Sequence, residues 1–571
     1  MIKITRRSFV KQAALAPLAA APWPLATRLA GDDRFDIVVA GAGHNSLVAA
    51  AYLAKAGLRC VVLEGRPTIG GGVKTSQLTL RGFRDDVCST AHSFIQDNPL
   101  LRDNELNLGE YGLEYITPDP IFHMPFPDGT SLTQWRDVDR TCDSIAKFSK
   151  KDAAAYRKML ADYESVKPIL VAGSFLPIGF GKPLNDRLAG TPNGKLWRRR
   201  LGMSAWDIIQ DTFEDDRCRT FFLCVSHLAS EPPNSVATGG LAYSTARQQK
   251  LGRPIPKGGS GALTEALGHF IEAHGGVVLT NKPVGMLIIE NSKCVGVECV
   301  DGSSYRADKA VLSTIHIKQL VEMAPPQLWG QDFLDGVDTW QPENAMFVTH
   351  YATSQAAVYE VDGGMLSPVE SAILVNSDRG LSSEFDNASG IPNITNPLVQ
   401  IVCCSSADPS RAPAGMHTLK LLGWQPYTLR QGPQHWDSIK DQVADGYLNF
   451  VRKFIPSLTE DKILGRFVMS PLDIERMNPH FWRGSVHAGA QSPSQNGAMR
   501  PVPGWAQHRM PIAGLYQTGA TTFPGGSVTG APGRNAATVM LKDFGTTIED
   551  VVSKKSSRKF SRSLTAAVST T

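Results

Sequence analysis

Phe35-Asp36-Ile37-Val38-Val39-Ala40 is a short apolar run of strand formers that ends on Gly41-Ala42-Gly43-His44-Asn45-Ser46. Leu47, Ala50, Ala51 and Ala54 follow at helical spacing as far as Gly57, and Arg59-Cys60-Val61-Val62-Leu63-Glu64 forms a second apolar run. The order predicted is strand, glycine-rich turn, helix, strand. In such a unit the first glycine permits the tight turn and the second lets backbone approach a pyrophosphate at the helix N-terminus. An acid about 20 residues on takes the ribose hydroxyls. Gly41, Gly43 and Glu64 hold those positions, with Ser46 where a third glycine is usual. A carboxylate at the end of the second strand also argues against a bound 2′-phosphate. The chain therefore opens on a dinucleotide-binding fold.

Two further glycine-rich segments bear on which dinucleotide is bound. Gly65-Arg66-Pro67-Thr68-Ile69-Gly70-Gly71-Gly72-Val73 lets the chain pass close to a cofactor. Near the C-terminus, Gly514-Leu515-Tyr516-Gln517-Thr518-Gly519-Ala520 reads as a strand ending in glycine. Phe523-Pro524-Gly525-Gly526-Ser527-Val528-Thr529-Gly530-Ala531-Pro532-Gly533-Arg534-Asn535 then turns onto a helix of small residues. The N–H groups and positive dipole of that helix suit the electron-rich pyrimidine edge of a flavin.

These segments, with Phe126-Pro127-Asp128-Gly129-Thr130 and Lys257-Gly258-Gly259-Ser260-Gly261-Ala262-Leu263, resemble the phytoene desaturase-like FAD-dependent oxidoreductases. That family includes the pyridine nucleotide-disulfide oxidoreductase domain proteins. The resemblance runs from residue 36 to residue 540. It implies FAD and an α/β fold: a glutathione-reductase-like Rossmann domain with an inserted substrate domain of mixed α and β elements. Residue by residue, it implies that Gly41, Gly43, His44, Asn45 and Ser46 line the pyrophosphate and that Glu64 and Arg66 take the adenosine ribose. Gly71, Gly72 and Val73 would approach the ribityl and flavin region, and Val284 would meet the adenine through its backbone. Gly519, Ala520, Gly526, Ser527 and Val528 would hold the isoalloxazine end. Phe523 stands where many relatives carry His, and the chain lacks the Arg after Gly-Gly and the Glu after the Gly519 equivalent that mark the amine-oxidase branch.

The cofactor domain is expected to comprise 34–120, 245–320 and 496–550, and the substrate domain 121–244 and 321–495. Asp301-Gly302 is the clearest hairpin turn. Reactive groups are sparse. His44 and His487 are the catalytic candidates, and His350, Tyr351 and Phe523 the substrate-facing ones. Arg500 is suited to steadying a loop or a carboxylate. Neither a metal site nor a G-x-S-x-G, H-E-x-x-H or phosphate-loop motif is present to support another chemistry.

Charge decides the partners. The net +4 comes from 58 Lys and Arg against 54 Asp and Glu. Five basic residues and no acid fall in 1–30, and five more, again with no acid, in 551–571. The remainder carries 48 basic and 54 acidic residues, a net of −6. That excludes a phosphate-tracking surface, so no nucleic-acid partner is expected. Thr5-Arg6-Arg7-Ser8-Phe9-Val10-Lys11 before an Ala/Leu/Pro stretch resembles a twin-arginine signal. Residues 1–30 are thus expected to address the chain to the twin-arginine machinery and the periplasm, and 553–571 to be a disordered basic tail.

The sequence predicts an exported FAD-dependent dehydrogenase, oxidase or desaturase. It would transfer hydride from an apolar substrate, isoprenoid or unsaturated, to flavin N5 and be reoxidised by oxygen, a quinone or a periplasmic carrier. A flavin-dependent isomerase, an amine oxidase and a flavoprotein with a structural or binding role remain open alternatives.

Overall fold

The computed structural model describes residues 34–228, 231–361, 364–366, 369–375 and 389–553. Residues 1–30, expected to carry an export address, and the expected tail from 554 onward lie outside them, while Ser553 ends the helix Ile548–Ser553.

The first sheet has seven strands. In chain order these are β1 (Arg34–Ala40), β2 (Cys60–Leu63), β3 (Val277–Leu279), β4 (Val284–Glu290), β5 (Lys293–Cys299), β6 (Ser304–Ser313) and β7 (Leu515–Gln517). The spatial order is β4-β5-β6-β1-β2-β3, with β7 also on β6. β6 serves two neighbours on one edge: Ser304 to Arg306 pair antiparallel with β5, and Val311 to Ser313 pair parallel with β7. β1 lies parallel between β6 and β2.

Strands buried on both faces read as continuous apolar runs, as β1 and β2 do. Side-chain alternation then divides β1 between two cores. Ile37 and Val39 join helices α1 (His44–Lys55), α2 (Gly261–Ala273) and α3 (Ala531–Asp543) on one face. Phe35, Val38 and Ala40 join Ile317, Trp329, Phe333, Val337 and Trp340 on the other. Residues as far as Trp340 therefore pack on the cofactor sheet. The boundary expected at 320 moves some 20 residues on, because Trp329, Phe333 and Val337 recur at helical spacing and find their apolar partner there.

The second sheet draws its seven strands from 122–134, 345–374, 399–425 and 463–469, almost all antiparallel. Helix Trp436–Val451 packs on one face of it. A mainly helical stretch, Val138 to Leu251, closes over Trp197, Tyr243 and Phe222.

A buried set of charges ties the two sheets together. Asp86 accepts from Thr75 Oγ1 at 2.9 Å and from the Ser260 N–H at 2.8 Å, and it pairs with Arg411, 1% exposed, on the second domain. Lys420 donates to the carbonyls of Asp86 and Cys88. Asp85 accepts from Thr79 Oγ1 at 3.1 Å, yet burial raises its carboxyl to about 6.

Asp86→Ala leaves Arg411 buried without its anion. The expected loss is about 3–5 kcal/mol in urea unfolding of the holoprotein. Asp85 acts in the opposite sense, because a carboxyl raised in the folded state binds its proton more tightly than the unfolded chain does. Its contribution is thus most favourable below about pH 4 and is lost as pH rises to about 6. Relative to wild type, Asp85→Asn should lose about 2 kcal/mol more stability at pH 4 than at pH 7, read by urea titration at both.

Candidate cofactor and catalytic site

The carboxyl ends of β1, β6 and β7 meet at one edge. There Thr314, directly after β6, packs between Gly41 and Gly519, and a Cβ on either glycine would strike its side chain. The Thr314 N–H donates to the Ala40 carbonyl, and the Thr518 N–H to that of Ser313. Two segments almost 480 residues apart in sequence are thus held on either side of the end of β6.

α1 starts at Gly43 with no side-chain cap and no acid in its first turn. α3 starts at Gly530 in the same way. The two helices touch at Gly533, where a Cβ would meet the Asn45 carbonyl. Ser46 replaces the third glycine because its hydroxyl bonds back to the Gly41 carbonyl at 2.6 Å and lies within 2.9 Å of that of Gly43. It is fully buried. Glu64 accepts from the N–H groups of Ala42 at 3.1 Å and Arg66 at 3.0 Å. Pro283 packs on Gly65, and the Lys282 N–H donates to the Glu64 carbonyl, which brings Val284 beside the Glu64–Arg66 corner.

Gly72 faces the ring of Phe481, and Gly71 faces Asn478 and Gly43. Val73 is buried, and its carbonyl accepts from Thr264 Oγ1 at 3.1 Å. Around Phe481 lie Leu78, Val87, Met346, Val348, Trp424, Met469 and Ile474, an apolar set shared by the two domains. On the other side Gly526 abuts His487, and Val528 joins the cofactor-domain core. Ser527 holds φ at +77°, an uncommon conformation for a residue with a Cβ and one found at ligand clamps. Phe523 is half-buried on the same loop.

The histidines separate by environment. Burial pushes His44 down to about 4, against the opposing bond to the Ser527 backbone, so its imidazole is neutral at pH 7. Burial also lowers His480 to about 4. Burial would lower His487 too, but the Glu343 carboxylate, 2.8 Å from Nδ1, outweighs it and holds the imidazole above its ordinary value. Glu343 also accepts from the His487 N–H at 2.5 Å and from Ser485 Oγ at 3.1 Å. Arg500, fully buried, donates to the Ala520 carbonyl at 2.9 and 2.6 Å and to those of Ala490 and Gln495. It steadies the loop, not a carboxylate.

His350 and Tyr351 part company, since neighbours on a strand point to opposite faces. His350 lies 4.0 Å from Asp85 toward the cofactor domain, where burial, then Lys420, lowers it well below its ordinary value. Tyr351 faces the other way and lines an outer cavity of about 470 Å³ with Asp445, Leu448 and Arg452. The expectation that Tyr351 faces substrate is corrected on that ground. Thr314, Phe481 and Glu343 carry no local sequence signal, because each gains its role only from a partner far along the chain.

Whether the residues fit FAD is decided by what they leave unpaired. His44 Nε2, Asn45 Oδ1, Thr518 Oγ1 and His480 Nδ1 are buried without a hydrogen-bond partner. They ring the uncapped start of α1 and the glycine cradle. Buried polar atoms need partners, and a dinucleotide lying from the Glu64 corner to Gly526 would supply them.

Fold and cradle define a dinucleotide-dependent α/β oxidoreductase with a separate substrate domain. The chain belongs to the flavin-containing amine oxidoreductase family, whose model matches residues 47–541, and it is an FAD-dependent oxidoreductase. It is 27% identical over 540 residues to one of the subunits of limonene dehydrogenase from Castellaniella defragrans, covering 90% of this chain and 95% of that one. It is 23% identical over 522 residues to the lycopene-forming phytoene desaturase of Pseudescherichia vulneris, covering 89% and 99%. Among solved structures, an oxidoreductase from Methanosarcina mazei (TM-score 0.59, 18% identity, 88% and 99% covered) and a putrescine oxidase triple mutant (0.59, 13%, 90% and 98%) share the fold.

Gly526→Val drives side-chain atoms into His487. FAD affinity should fall at least about tenfold, or roughly 1.4 kcal/mol, measured by flavin fluorescence on reconstitution. Gly109→Ala, in open space, should leave it unchanged.

Proposed function

We propose that the protein is exported through the twin-arginine pathway and dehydrogenates an apolar substrate of isoprenoid or otherwise unsaturated character, passing electrons to oxygen, a quinone or a periplasmic carrier. The observation that carries the substrate class is the apolar set around Phe481, whose own ring faces Gly72. Leu78, Val87, Met346, Val348 and Trp424 offer dispersion contacts and exclude water. The two relatives above are named for limonene and phytoene, both hydrocarbons, and they match nearly the whole of this chain.

When bound, the flavin supplies the hydride acceptor at N5. The chain's own part is to hold the substrate carbon over that atom, since orientation alone contributes heavily to such a step. His44 and His480, both neutral, bring no cation into the cradle. The missing Arg and Glu of the amine-oxidase branch favour a hydrocarbon over an amine.

Anaerobic mixing of the flavin-loaded protein with a cyclic monoterpene, a terpene alcohol and a primary amine distinguishes these readings. Bleaching of the flavin band by the hydrocarbon is expected, whereas bleaching by the amine alone contradicts the reading. For export, residues 1–30 fused to a folded reporter should carry it to the periplasm, and Arg6→Lys with Arg7→Lys should retain it in the cytoplasm.

A further inference from the structure

Four ionisable side chains converge behind the loop Gly519–Val528: Glu343, His487, Glu231 and Arg500. Glu343 comes from the segment before strand Ala345–Thr353, and Glu231 from the loop after helix Asp216–His227. Glu231 accepts from the Gln491 N–H at 2.6 Å and is buried. Arg500 clamps Ala520 on the same loop and lies over the Trp340 ring, 4.9 Å from its centroid. His487 abuts Gly526, the glycine expected at the isoalloxazine end. The His487 side chain keeps 14% of its surface exposed, whereas that of Glu343 keeps none.

Arg500 anchors the loop through the Ala520 carbonyl and also donates to the carbonyl of His487 at 3.3 Å. Neither the hydride step nor FAD retention calls for an imidazole locked to a carboxylate at this place. Glu343 binds both the Nδ1 and the backbone N–H of His487, which fixes the ring and directs Nε2 to carry the exchangeable proton.

We propose that His487, oriented by Glu343, is a proton-exchanging residue coupled to the flavin: it takes up a proton from solvent when the flavin is reduced and returns it on reoxidation. The balance is explicit. A C–H bond of the substrate would break, its hydride forming the N5–H bond, and the adjacent carbon would release a proton to solvent as the double bond forms, so that the substrate loses two electrons that the flavin gains. The flavin thereby acquires one negative charge, and His487 Nε2 gains one proton against it. His487 is catalytic if its imidazole touches the flavin and Glu343 is the positioning residue in either case. The inference rests on the FAD assignment and not on the substrate class, so failure of the hydrocarbon test leaves it standing.

Charges on every neighbouring element act on His487. Glu343 and Glu231 favour the imidazolium, and Arg500 and burial oppose it. An added negative charge on the flavin raises its proton affinity further, and by linkage the proton favours the reduced flavin by the same factor.

The test is the midpoint potential of the FAD-loaded protein against pH. Wild type should show an interval in which two protons are taken up per two electrons, with one on either side of it. His487→Gln should show one proton throughout, and its oxidised-to-reduced ratio at fixed potential should rise about tenfold at pH below the interval, the equivalent of one unit in the coupled pKa. Glu343→Gln should shift the interval to lower pH, and His487→Lys should restore the ratio without an interval. A folded, FAD-retaining His487→Gln with the wild-type profile overturns the proposal. If none of the three variants holds FAD, the wild-type curve decides alone, and one proton per two electrons at every pH overturns it as well.

Discussion

Everything in the site depends on three strand ends being brought to one edge around a single small side chain. Thr314 wedges Gly41 against Gly519, and neither glycine tolerates a Cβ there. Parallel strands with helices on the following turns place ligands at their carboxyl edge. Here the edge is closed by a strand from near each end of the described chain, β1 and β7, on either side of β6. The substrate domain is tied to this edge by the Asp86–Arg411 and Lys420 contacts and adds Asn478, Phe481 and His487 to the walls of the cradle.

Electrostatics divide the cradle into two ends. Around the start of α1 the histidines are neutral, and the attraction for a pyrophosphate comes from N–H groups and the helix dipole. Behind Gly526 two glutamates face an arginine and a histidine, and the charge of that set depends on the histidine's proton. A paired buried set costs less than an isolated ion. It still responds to one extra electron pair nearby, which is the physical basis for coupling His487 to the flavin.

Much of the fold was legible from short-range pattern. The Phe35–Glu64 unit, the Asp301-Gly302 hairpin and the strand Leu515–Gln517 declare themselves through periodicity and glycine. The helices up to Trp340 were misplaced into the second domain because an amphipathic helix does not say which apolar face it covers. Arg500 was legible as an anchor, but its target was not. The wedge at Thr314, the ring of Phe481 over Gly72 and the Glu343–His487 pair were invisible, since each is a contact between residues whose pairing depends on the whole topology. Tyr351 illustrates the converse: on a strand, adjacent residues cannot share a face, and choosing between His350 and Tyr351 needs the register of both neighbours.

An experimental structure of the FAD-loaded protein tests the central claim most directly. The account predicts the pyrophosphate within hydrogen-bond distance of the N–H groups at the start of α1, the adenosine ribose on Glu64, and the isoalloxazine between Gly72 and Gly526 with the Phe481 ring turned aside. A flavin whose ring system lies away from Gly526, or a ribose that does not touch Glu64, would contradict it.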